Sequence, residues 1–310
     1  MRPLGRRSPL TNWGVPTPYP DELGYSVVAR YLDQWGRVDP LGLLRQTLYR
    51  RVHRMHPSVA PCISALAVRC SGAHATSEDF IRHHSLVPYH LAFEQSAKRQ
   101  AIQRALHEPG TVSAQRIDPP YPTKPRQWLR LCRQCERRQR ADYGECYWRR
   151  IHQLPGLSRC IEHRTPLSDS PVPFETDSIL ACTSLTSLLA GAWPLTPTRP
   201  MFAMSLERRL AERSRMALEL RSHTNVSPRS YRRQLLHIGF AGRTGELRAT
   251  AIGEELAAWT RRYRSSLSSL GPREWWLRLM TGIGGRRTTL QHLVLAEFLN
   301  EHGAPAQADR

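Results

Sequence analysis

Apolar residues recur at helical spacing through most of the chain. Leu23, Val27, Ala29 and Leu32, with Tyr25 and Tyr31, predict a helix to about Trp35, with Asp21 as N-cap and Gly36 as the stop. Asp39 and Pro40 open a second helix through Leu43, Leu44 and Leu48 to about Arg54. Thr76 and Asp79 have capping-box spacing, with Asp in place of the usual Glu, ahead of a short helix from Phe80 to His84. Short helices joined by tight turns predict a helix-turn-helix-like N-terminal lobe, a pattern that an ordinary helical bundle shares. Towards the other end, Ser205 predicts the cap of a helix to about Arg221. Ser227 followed by Pro228 predicts a second helix to Ile238. Gly239, Gly242 and Gly245 form the next turn, and Thr250 caps a helix to about Leu270. Apolar runs from Trp275 to Met280 and from Leu290 to Leu299 complete a helical end.

Proline divides this pattern. Pro119, Pro120, Pro122 and Pro125 mark an approach to a cysteine-bearing segment, and a second proline-rich stretch runs from Pro171 to Pro200. The expected organisation is a disordered tail over 1–15, an N-terminal helical lobe over 16–111, a cysteine module over 112–170, a linker over 171–204, a helical Arg-rich lobe over 205–301 and a tail over 302–310. The fold class is mainly α.

Charge adds an anionic partner to the picture. The chain of 310 residues has a formal net charge of +19, and such self-repulsion is offset most readily by phosphates, so nucleic acid is the first expectation. Lys98 and Lys124 are the only lysines, so the basic side chains are almost all Arg. Arg suits bidentate phosphate and guanine contacts, although coding bias in a GC-rich genome produces the same ratio. No run of about 18 apolar residues occurs and the start, MRPLGRRSPL, lacks the apolar stretch of a secretory signal. A soluble cytoplasmic protein with no membrane partner is expected.

Seven cysteines, an odd number, fit reduced thiols and a metal site better than a disulfide framework. In LCRQCERRQRADYGECYWRRIHQLPGLSRCIEH, Cys132 and Cys135 form one knuckle, and Cys160 with His163 form a second. Two such turns can complete a tetrahedron around one Zn2+, and four protein ligands leave no position for a reacting water, so the ion is expected to be structural. Cys146, inside the spacer, is an alternative ligand without a knuckle partner. Cys62, Cys70 and Cys182 lack the spacing and read as buried small hydrophobes. His152 is ambiguous: a donor behind the ligands, a partner contact or a satisfied semi-buried imidazole.

Candidate nucleic-acid contacts follow the Arg clusters. Around the knuckles these are Arg137, Arg138, Arg149 and Arg150, opposed by Glu136, Asp142, Glu145 and Glu162. In the C-terminal lobe they are Arg229, Arg232 and Arg233 on one helix and Arg261, Arg262 and Arg264 at the end of the next. A solvated charged face is the alternative for each. An enzyme is not expected. TGIGGRRTT lacks both the spacing and the Lys of a phosphate-binding P-loop, and no carboxylate triad in alternating strands is recognisable.

The run YGECYWRRIHQLPGLSRCIEHRTPL, preceded by LRLCRQC, resembles the zinc motif of the TniQ/TnsD family. PTPYPDELGYSVVARY is similar to the family's opening motif, and HHSLVPYHLAF to a later stretch. YRRQLLHIGF, WWLRLM and HLVLAEFL resemble the region after the zinc module in TnsD-type members, so the likeness covers about residues 16–300. Arg133 and Ile161 stand where members often have Pro, but neither is a ligand position. The resemblance implies a non-enzymatic selector of target DNA for bacterial cut-and-paste transposition, which recruits an AAA+ ATPase. In one branch the protein reads duplex DNA itself; in another it is mounted on a CRISPR Cascade complex whose guide RNA does the reading. A homodimer is left open.

Overall fold

The computed structural model describes residues 14–48, 66–67, 69–70, 76–107, 127–174, 178, 181–219, 228–242, 244, 246–271, 274–282 and 287–303. The expected end of the second helix near Arg54, the proline-rich approach, Cys62 and the Ser227 cap lie outside these residues, as do 1–13 and 304–310 of the expected tails.

The N-terminal part begins with α1 (Gly24–Gln34) and α2 (Pro40–Leu48). Asp39 Oδ1 accepts the Gly42 amide at 2.9 Å, which starts α2, and Gly36 closes α1 with φ +66°. Asp21 does not cap α1: Leu23 occupies that position and Asp21 has φ +61°. Its carboxylate is held instead by two arginines described below. The capping box of Thr76 and Asp79 forms as expected and opens α3 (Ser77–His84). A two-residue turn leads to α4 (Val87–Leu91), and Val87, Pro88, Tyr89 and Leu91 of this helix are buried. Helix α4 therefore fills core. Next comes α5 (Ser96–His107).

A three-stranded antiparallel sheet carries the cysteine module: β1 (Trp128–Leu131), β2 (Ser168–Pro173) and β3 (Thr196–Pro197), in that order. β3 covers only Ser168 and Asp169, so Pro171 and Pro173 lie where β2 is paired on one side and no second ladder is broken. Gln153 extends the pairing of β1 by a side chain, accepting from Arg130 N at 3.1 Å and donating to Arg130 O at 2.7 Å. Between the strands lie α6 (Arg133–Tyr143) and, later, α7 (Leu185–Ala190). The stretch expected as a linker thus contains α7 and β3. Ser184 caps α7, and Ser187 Oγ donates to Asp33 Oδ2 at 2.6 Å, which ties the stretch to α1.

The C-terminal part contains α8 (Met204–Leu218), α9 (Pro228–His237), α10 (Ala249–Arg262), α11 (Trp275–Thr281) and α12 (Thr289–Glu301). Ser205 lies inside α8, whose N-cap is Ala203. Thr250 lies inside α10, which stops at Arg262 because the chain turns there, Arg264 having φ +57°. α12 is buried on nearly every side and so sits centrally. Its Thr288 and Gln291 form a second capping box, whose T-x-x-Q spacing was available in the sequence. Thr289 Oγ1 donates to Tyr89 O at 2.6 Å, joining α12 to α4. One hydrophobic core accordingly runs from Val15 to Leu299. Gly156, with φ +77°, allows this closeness, because a Cβ there would meet Leu290 at 2.9 Å and Phe202 at 3.2 Å.

Two histidines are trapped neutral in this packing. Burial lowers His84 to about 4 and His292 to about 3. His84 Nδ1 bonds Glu22 O at 2.8 Å; His292 Nδ1 lies 2.7 Å from Tyr231 Oη and its ring stacks on Phe93. A depressed folded pKa contributes stability above the unfolded value of about 6.5 that is lost as pH falls through the folded value. Burial raises Glu22 to about 7, which has the opposite sign: its contribution is complete below the ordinary carboxylate value and lost as pH rises through 7. The readout for His292 is therefore a difference. Urea-denaturation free energies of the protein and of His292→Gln are expected to differ by a constant amount above pH 7, with the protein's advantage shrinking progressively towards pH 4. A difference independent of pH would show that His292 is not held neutral.

Candidate metal centre and its supports

The four knuckle residues converge. Cys132 ends the extended backbone of β1, with φ −107° and ψ 128°, and α6 begins at once, so Cys135 returns one helical turn later to the same side. The second knuckle is closed by Arg164 N donating to Cys160 O at 2.8 Å and Cys160 N donating to Thr165 O at 2.9 Å, with Arg164 in the left-handed region. His163 then presents Nδ1 to the three sulfurs. Its separations are 3.7 Å from Cys132 Sγ, 3.2 Å from Cys135 Sγ and 3.6 Å from Cys160 Sγ; Cys135 and Cys160 lie 3.7 Å apart. All four donor atoms fall within 4.8 Å of one another. Sulfurs at about 2.3 Å and a nitrogen at about 2.0 Å from one tetrahedral ion lie about 3.5–3.8 Å apart, so the cluster could hold a metal ion with little movement.

Cys146 takes no part. It is buried and its thiol points at Glu136 O, 3.7 Å away. Cys70 and Cys182 are likewise buried, apart from the cluster. His152 is buried with Nε2 3.7 Å from Cys160 Sγ, and burial lowers it to about 3, so it backs the cluster as a neutral imidazole. Hydrogen bonding from Cys135 lowers the Cys132 thiol, and the same contact raises that of Cys135. Ligation would take the protons from all such thiols.

Arg149 and Arg150 change role in the structure. Arg149 Nη1 lies 3.3 Å from Cys135 Sγ, and its guanidinium grips Glu162 at 2.5 and 2.7 Å and Asp21 at 3.2 Å. Arg150 is buried, pairs with Asp21 Oδ1 at 2.8 Å, and donates to the carbonyls of Arg82 and Ser85. With their donors engaged inside the fold, neither is positioned as a phosphate contact. Arg137 and Arg138 on α6 are exposed, with Arg138 3.4 Å from Asp142.

The sequence reading missed the partners of this module. Arg30, buried in α1, pairs with Glu22 at 2.8 Å and Glu145 at 2.7 Å, and lies 4.1 Å over the Tyr19 ring. Tyr19 Oη donates to Glu145 at 2.6 Å, and its ring stacks on Tyr147. The main chain joins as well: Leu23 N donates to Trp148 O and Arg150 N to Asp21 O, both at 2.9 Å. A signal existed, since Arg30 interrupts the buried apolar face of α1.

Removing one side of a buried ion pair strands the other, at a cost of about 3–5 kcal/mol. Asp21→Ala is therefore expected to lower the free energy of unfolding by about that amount, measured in urea with metal present. Arg137→Ala, exposed on α6, should change it by less than about 0.5 kcal/mol. Equal effects would show that Asp21 does not hold the two arginines.

Comparison with known proteins identifies the family of this region. Residues 14–167 match the TniQ family model, a span that contains both the opening segment and the cysteine module it grips. The chain is also similar to the transposon Tn7 transposition protein TnsD of Escherichia coli, at 30% identity over 158 residues. That alignment covers 48% of this chain and 30% of the relative, so the similarity spans less than a third of TnsD. Residues 14–167, in which the Tyr19–Arg30 segment is clasped to a metal-competent knuckle, belong to the TniQ family, and the chain is similar to TnsD over part of its length.

Proposed function

We propose that this protein selects target sites for a bacterial transposon by binding duplex DNA and recruiting the transposition ATPase, and that it carries one structural zinc ion. The family relationship supports the transposition role. One observation carries the DNA contact. On α9, Arg229, Arg232, Arg233, Leu236 and His237 are exposed, whereas Tyr231, Gln234 and Leu235 are buried. The exposed positions follow i, i+3, i+4, i+7 and i+8, which places them on one helical face. No acidic residue occurs in the helix, and no carboxylate among the described residues lies within ion-pair distance of its three arginines. A ten-residue helix is about 15 Å long and fits a B-DNA major groove about 12 Å wide. Arg can there contact guanine or phosphate, and an exposed Leu a thymine methyl.

The other clusters are weaker candidates. Arg261 and Arg262 end α10, where they complement the helix dipole. Arg264 is exposed in the turn that follows.

The three sulfurs and one nitrogen suit zinc, which favours thiolate and imidazole donors in tetrahedral sites. Cys132, Cys135, Cys160 and His163 would hold it, and the ion would supply a fixed cross-link between the two knuckles. With four protein donors the centre would be closed to substrate, which supports a non-enzymatic role. No helix among the described residues is long and apolar enough to cross a membrane, and a cytoplasmic setting follows from the proposed work on chromosomal DNA.

Purified protein is expected to contain one zinc per chain by elemental analysis. Cys160→Ser should lose it together with cooperative unfolding, whereas Cys146→Ser should keep both; well under one zinc in the parent protein would overturn the metal assignment. For DNA, a footprint on one duplex site should survive excess nonspecific competitor. Arg232→Ala with Arg233→Ala should weaken binding and reduce the slope of log K against log salt by about 0.9 for each phosphate no longer neutralised. Salt-sensitive binding without a preferred site would overturn direct reading by this chain.

A further inference from the structure

Beside the second knuckle lies a cleft of about 660 Å³ that none of the functions above uses. One wall is the knuckle turn, with Arg159, Ile161 and Arg164; the other is the start of α8, with Met204 and Arg208. Met204 projects into solvent at 65% exposure, and Ile161 is partly buried against the core. Arg164 and Arg208 are exposed, and no carboxylate among the described residues pairs with Arg159, Arg164 or Arg208.

The acidic side chains at the cleft are already engaged. Glu207 is buried, and its carboxylate accepts from Ser158 N at 2.6 Å, Arg159 N at 2.8 Å and Ser158 Oγ at 2.8 Å. Glu212 pairs with Arg215 at 2.5 Å. No side chain caps α8, a 15-residue helix whose first turn lines the cleft, and Glu207 in that turn offsets its positive end, so the charge of the cleft rests on the three arginines. The cleft thus combines an apolar lining with an excess of unneutralised positive charge.

We propose that this cleft docks a segment of a partner protein that carries carboxylates around an aliphatic anchor. Carboxylates match Arg159, Arg164 and Arg208, and the anchor covers Met204 and Ile161. Duplex DNA matches less well. Its phosphates offer nothing to an apolar lining, and a recess between a turn and a helix admits a peptide side chain more readily than a rigid duplex backbone. The site lies on a different element from the α9 face, so the proposal does not rest on direct DNA reading.

The test uses the full chain with its metal and a fluorescein-labelled peptide, Glu-Asp-Leu-Leu-Glu-Asp, followed by anisotropy. Saturable binding is expected, weakened about tenfold or more by Met204→Glu and by Arg208→Glu. Both positions are exposed, so thermal midpoints should be unchanged, and Arg164→Gln on the opposite wall gives an independent loss. Arg233→Ala on α9 should leave the peptide affinity unaltered. The proposal is overturned by absence of saturable binding, by equal affinity for Glu-Asp-Ser-Ser-Glu-Asp, or by indifference to all three cleft variants. It also fails if duplex DNA displaces the peptide and Arg208→Glu lowers DNA affinity, which would make the cleft a phosphate contact.

Discussion

Asp21 stands between two guanidiniums of the cysteine module, and the rest of the molecule is organised around that contact. Its carboxylate meets Arg149 and Arg150, while Glu22, the next residue, meets Arg30. Arg150 continues to the carbonyls of Arg82 and Ser85, so one side chain links the opening segment, α3 and the module. Buried ions of this kind are costly to desolvate, and continuum reasoning gives them little net stability over apolar replacements. What they supply is registry. Each stranded partner would be a buried charge, so the chain segments fit together in one relative placement.

The knuckle ties in on the other side of this network. Arg149 reaches both Asp21 and the Cys135 sulfur, so the position of the opening segment and the electrostatics of the cluster are coupled through one guanidinium. Glu207 of α8 caps the amides of Ser158 and Arg159 just before Cys160. The metal-competent turn is thus held from two directions, by the N-terminal segment and by the C-terminal helices. The cysteine cluster thereby sets the spacing of the surfaces on either side of it.

A net charge of +19 says little about function until the arginines are sorted. Some are structural, such as Arg30, Arg149 and Arg150, and Arg130 donates to the carbonyls of Leu154 and Leu157. Others, such as Arg209 and Arg213, are paired with Glu297. Those of α9 and those flanking the cleft by Cys160 have no such carboxylate among the described residues, and both proposed contact surfaces rest on this unneutralised remainder.

The sequence determined what short-range geometry controls. Both knuckles, the capping box of Thr76 and Asp79, the stop at Gly36, the apolar periods of α1 and α9 and the apolar runs of α11 and α12 are settled within a few residues of chain, so pattern and spacing reveal them. Asp21 and Ser205 show where such rules give way. Each is a suitable cap by local chemistry, yet Asp21 is drawn into ion pairs with residues more than a hundred positions away, and Ala203 precedes α8 instead. The three-stranded sheet was not legible because its strands are short, rich in proline and completed by Gln153 from a distant turn. Nor could an Arg-rich sequence distinguish Arg150, buried against Asp21, from Arg232, facing solvent. Only tertiary structure decides that, because a guanidinium is a structural ion or a binding surface according to which carboxylates the fold brings within reach.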